Sequence, residues 1–104
     1  MVSPTQRSLK HYRDRGYLAD IVERWIPQAR IRKDLFGILD IVAVGNGETV
    51  GVQTTSASNM SARVKKIADS EAIYELREAG WTVVVQGWRK NSKGRWVVRE
   101  VDVS

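Results

Sequence analysis

Cysteine is absent from the chain, and histidine occurs once, as His11. The first absence excludes a disulfide scaffold, a thiolate zinc site and a cysteine nucleophile. The second excludes a metal site built from several histidines. No apolar run approaches the ~18 residues that cross a bilayer, so no membrane partner is expected. The charged stretch MVSPTQRSLKHYRDRG leads into no apolar segment, so no secretory signal is expected either. The chain also lacks internal repeats, low-complexity tracts and a linker. With 104 residues, 42% of them hydrophobic and 28% charged, it reads as one globular domain over residues 1–104.

What is present in surplus is positive charge. Seventeen Lys and Arg oppose twelve Asp and Glu, a net charge of +5. Such a domain is attracted to polyanions, of which nucleic acid is the commonest in a cytosol; the alternative is an incidental surplus on a soluble domain. Arginine leads lysine eleven to six, and its planar fork suits phosphate oxygens.

The residue pattern predicts a mixed sheet flanked by helices. Ser8–Arg15 reads as a helix stopped by Gly16. Residues 17–25 are two-sided: Leu18, Ile21, Val22 and Trp25 have helical spacing, yet the run is short, partly β-branched and bounded by Gly16 and Pro27. Residues 35–44 and 49–55 read as strands around Asn46-Gly47, a strong hairpin signal. With a two-residue turn, Gly45 faces Glu48. Counting back, Asp40 faces Gln53 and Ile38 faces Thr55, so Asp40, Gln53 and Thr55 share one face. Residues 61–79 are helical in pattern, with an interruption at Asp69-Ser70. Residues 81–88 and 96–103 are the last two strands.

Asp40 is the centre of chemical interest. An acid inside an apolar strand is costly to bury unless paired, protonated or bound to a cation. Asp40 with Gln53 and a hydroxyl could hold a hard divalent ion, or form a satisfied structural hydrogen bond. The turn from Trp88 to Trp96 carries Arg89, Lys90, Lys93 and Arg95 with no acid. Its cations are expected to contact phosphates and its tryptophans to pack in the core.

The segments RKDLFGILDIVAV, TVGVQTTS and NMSARVKKI together resemble the PD-(D/E)XK nuclease superfamily, the restriction-endonuclease-like fold. The nearer likeness is to small phage and bacterial proteins related to Holliday-junction resolvases. It covers about residues 8–90, and the block from Asp34-Leu35-Phe36-Gly37 to Gln53-Thr54-Thr55-Ser56 is its most specific part. The resemblance implies an α-β-β-β-α-β-β α/β fold, with residues 17–25 a strand. It implies a metal-dependent endonuclease using Mg²⁺ or Mn²⁺ on DNA, a homodimer by analogy with resolvases, and a cytoplasmic setting in a prokaryote or phage-infected host. Asp40 matches the motif aspartate. Gln53 stands where an acid ligates metal, and Thr55 where a lysine supports the attacking water. Lys66 is the candidate substitute for that lysine, with Arg63 and Lys65 as nucleic-acid contacts. Glu23 becomes a further ligand if residues 17–25 lie beside the Asp40 strand. Asp34 either approaches the metal or pairs with Arg32 or Lys33, and of the two the surface role is expected. The missing acid and lysine leave open a nucleic-acid-binding module on a degenerate nuclease fold, or a structural protein.

Overall fold

The computed structural model describes residues 2–104. Helix α1 (Pro4–Asp14) starts where Ser3 Oγ accepts the Gln6 N–H at 3.2 Å and Pro4 occupies the first turn. Strands β1 (Leu18–Ile21), β2 (Arg24–Ile26), β3 (Ile31–Lys33), β4 (Ile41–Gly45) and β5 (Glu48–Ser56) follow. A 3₁₀ turn (Ala57–Asn59) leads into α2 (Met60–Ala68) and α3 (Ala72–Glu78), then β6 (Thr82–Lys90) and β7 (Trp96–Asp102).

Five strands form one mixed sheet in the order β1-β4-β5-β6-β7, and β2 and β3 form a separate small hairpin. Only β5 and β6 run parallel, and α2 and α3 supply the crossover that a parallel pair requires. The fold is therefore α/β. One face of the sheet packs under α1, around Leu9, Tyr12, Ile41, Val50, Val52 and Val84. The other packs under α2 and α3, around Leu39, Met60, Ile67, Ile73, Val83 and Val85. Val83, Val84 and Val85 thus serve opposite faces in turn, which is why β6 is apolar without alternation. The Tyr12 hydroxyl on Glu100 (3.0 Å) and the Trp88 indole N–H on Ser8 (2.8 Å) fasten α1 to β6 and β7. Among the described residues, no helix is long and apolar enough to cross a membrane.

The Asn46-Gly47 turn, with φ of 52° and 76°, sets the expected register: Gly45 pairs with Glu48 and Ile41 with Val52. Residues 17–25 are extended, but not as one strand. Leu18–Ile21 pairs antiparallel with β4, and after Val22 the chain leaves for the small hairpin. Their helical spacing marks no buried stripe, because Leu18 is 80% and Trp25 55% exposed. The strand expected from residue 35 begins only at Ile41. Phe36 (φ 57°) and Gly37 (φ 77°) fold residues 34–39 into a tight loop, closed by the Leu35 N–H on the Leu39 carbonyl at 2.9 Å. Ile38 therefore does not face Thr55; it packs with Leu39 beneath the helices. The helical segment divides at Asp69-Ser70, where Ser70 Oγ accepts the Ala72 N–H. Of the hairpin tryptophans, Trp88 is half-buried, whereas Trp96 is 40% exposed, at the start of the edge strand β7.

Candidate metal centre

Asp40 lies one residue before β4, at the point where the preceding loop turns away from β5. Oδ2 accepts from Gln53 Nε2 (2.6 Å), the Thr54 backbone N–H (2.8 Å) and Thr54 Oγ1 (3.3 Å). Three donors on one oxygen fix the carboxylate and leave Oδ1 free of protein donors. Asp40 is only 4% exposed. Burial pushes its carboxyl up from 3.8 to about 7. The Thr54 N–H opposes that shift, while the carboxyls of Asp34 and Glu23 add to it.

Those two neighbours complete a cluster. Glu23, Asp34 and Asp40 each present a carboxylate oxygen within 4.8 Å of the others. Glu23 arrives from the link after β1, because the Val22 N–H bonds the Asp40 carbonyl at 2.8 Å. Asp34 arrives from the end of β3, at the mouth of the tight loop. It is not the surface residue that its flanking Arg32 and Lys33 suggest: it meets Lys66 Nζ at 3.2 Å, and Arg32 pairs instead with Glu23, also at 3.2 Å. Arg63 and Lys66, three apart on α2, share a face and line the same cleft of about 300 Å³. Thr5 of α1 lines it too, through a 2.9 Å hydroxyl contact with Thr54.

The donor set suits a hard cation. It consists of three carboxylates, all oxygen ligands. Gln53 is 1% exposed, and its Oε1 is buried without a hydrogen-bond partner. Exchanging the two ends of that amide would set Oε1 beside Asp40 Oδ2, an arrangement that requires a cation or a proton between them. The three carboxylates could hold a metal ion.

Other candidates stand elsewhere. Thr55 shares the Gln53 face by alternation but does not line the cleft; Thr54 does, because the Asp40 carboxylate sits at the strand end and reaches Thr54's backbone and hydroxyl. Lys65 points away from Lys66 on the helix and pairs with Asp69 at 2.8 Å. Arg89, Lys90, Lys93 and Arg95 are exposed on the β6–β7 hairpin. Because β5 and β6 are parallel, with Ser56 beside Trp88, the hairpin projects from the same sheet end as the cleft. Thr54 and Thr5 were the unanticipated members, and Asp34 takes the metal-side place rather than the expected surface one. The only signal for Asp34 is its place before a Phe-Gly pair, a turn cue hidden in an apolar run. The chain matches no family model and no curated protein.

Proposed function

We propose that the protein is a metal-dependent nuclease with a restriction-endonuclease-like fold, hydrolysing DNA phosphodiester bonds at the Glu23–Asp34–Asp40 cleft. The observation that carries this reading is the meeting of three carboxylates and Gln53 with two cations of one helix, Arg63 and Lys66. Carboxylates alone would repel a phosphate. Cations alone would bind one without activating water. Both on the two sides of one cleft suit phosphodiester hydrolysis.

Glu23, Asp34 and Asp40 would hold Mg²⁺ or Mn²⁺ through their carboxylate oxygens. When bound, the ion supplies Lewis-acid polarisation of a phosphoryl oxygen and a more acidic water. The chain's own residues do the rest. Gln53 and Thr54 hold Asp40 in place through Oδ2. Lys66, anchored on Asp34, takes over the position vacated by a motif lysine, since Thr55 is outside the cleft. Arg63 faces the phosphate and stabilises the negative charge that builds on it. The hairpin cations extend the positive surface along the DNA.

A second reading has its own observation. Arg32 and Lys66 already neutralise Glu23 and Asp34, which favours a module that binds DNA without cutting it. Incubation with linear duplex, single-stranded and four-way DNA in Mg²⁺ and Mn²⁺ separates the two. Metal-dependent cleavage by the parent that is lost in Asp40→Asn supports the nuclease. Salt-sensitive binding with no cleavage in either metal supports the binding module.

A further inference from the structure

The two tryptophans of the β6–β7 hairpin are treated differently by the fold. Trp88 is half-buried, with its indole N–H on Ser8. Trp96 is 40% exposed. An exposed tryptophan would usually be mobile, but the Arg7 guanidinium carbon sits 4.0 Å from its ring centroid and Lys90 Nζ 5.6 Å from it. The ring is thus pre-positioned by cation–π contact while remaining open to solvent.

The surroundings are cationic. Among the described residues, no carboxylate pairs with Arg7, Arg89, Lys90, Lys93 or Arg95, since the ion pairs formed involve other residues. A fixed aromatic face inside unpaired positive charge matches a flat π-system attached to a phosphate chain. Helix α1 ties this feature to the cleft: Thr5 lines the cleft, and Arg7, two residues on, holds Trp96. Lys90, the cross-strand partner of Trp96, lies four residues beyond Gln86, which pairs with Thr54. At ~3.3 Å per strand residue that is about 13 Å, or roughly four base steps along a nucleic-acid strand.

We infer that Trp96, backed by Arg7, is a stacking platform for an unpaired base of the DNA substrate, so that the cleft is presented with DNA bearing a single-stranded segment. The inference rests on the DNA-directed reading of the cleft and narrows its substrate class. Hairpin cations hold the flanking phosphates, and the base leaves its own stack for the indole face.

Affinity for a blunt duplex and for the same duplex with an unpaired tail, measured by fluorescence anisotropy in chelator, tests this. The parent should prefer the tailed duplex. Trp96→Ala should weaken tailed-duplex binding roughly tenfold, as expected for one lost base–aromatic stack, and leave blunt-duplex binding unchanged. Trp96→Phe, which keeps a ring, should retain most of the preference and shows that the hairpin is intact. Equal affinity of the parent for the two DNAs, or equal losses on both in Trp96→Ala, would overturn the platform. Cleavage of the tailed duplex in Mn²⁺ is scored separately. Tail preference without cleavage would overturn the nuclease and leave the platform, whereas cleavage without tail preference would do the reverse.

Discussion

At the scale of single residues, Asp40 and Gln53 form the buried centre of the cleft. The Asp40 carboxyl is raised from 3.8 to about 7, so between those pH values the folded protein keeps a proton that the unfolded chain has released. Its contribution therefore favours the fold at low pH and is lost as pH rises from about 4 to about 7, at roughly 1.4 kcal/mol per pH unit. Asp40→Asn preserves an oxygen for Gln53 and Thr54 and carries no charge. In chelator at pH 8 it should melt higher than the parent, by about 4–8 °C for each kcal/mol recovered, and its melting temperature should depend less on pH between 4 and 7. Thermal melts across that range check it; a variant that melts lower than the parent at pH 8 would show that the Asp40 charge is stabilised, not penalised. Gln53→Glu makes the opposite change. Its carboxylate would face Asp40, so the metal-free variant should be less stable than the parent and regain stability when Mn²⁺ is added. Melting with and without Mn²⁺ reads this directly, and no metal-dependent rise would make Asp40 and Gln53 a structural pair.

At the scale of elements, the loop at residues 34–39 decides whether the site exists. It brings Asp34 and Asp40, six positions apart in sequence, into one cluster. Gly37 holds φ 77°, where an added Cβ meets nothing within 4 Å but the backbone itself is unfavourable for an L-residue. Gly37→Ala should cost ~1–2 kcal/mol and weaken metal binding as Asp34 shifts. Urea unfolding with a parallel Mn²⁺ titration tests it; loss of stability with unchanged affinity would uncouple loop and site. This loop was also the least legible part of the chain. Leu35-Phe36-Gly37-Ile38-Leu39 has the composition of a strand, and a phenylalanine at positive φ leaves no mark in a sequence. By contrast, Asn46-Gly47 could be read correctly because the turn demands those residues, and its register alone places Asp40 against Gln53. The position of Glu23 was only half legible. The extended form of residues 17–25 came only from the resemblance, since β1 exposes Leu18 and buries Ala19, and the three-residue strands β2 and β3 are mostly exposed and carry no alternation to betray them.

At the scale of the molecule, several of the chain's cations stand near the acidic cluster. The β6–β7 hairpin and the Arg63–Lys66 face both stand at the sheet end that bears the acidic cluster. Their field should draw a polyanion across the carboxylates, which would otherwise repel it. Replacing Arg89 and Lys93 together by Ala should lower the slope of log affinity against log salt by up to about 1.8 for duplex DNA, at ~0.9 per phosphate contact. An unchanged slope in the anisotropy titration would place the DNA path elsewhere.

The central claim is that Glu23, Asp34 and Asp40 bind a divalent cation. Calorimetric titration of Mn²⁺ into the metal-free parent and into Asp40→Asn tests it most directly. The account predicts saturable binding by the parent, with proton release near pH 6.5 as the raised Asp40 carboxyl ionises, and a loss of at least about tenfold in affinity for Asp40→Asn. No binding by the parent, or the same affinity in both proteins, would contradict it.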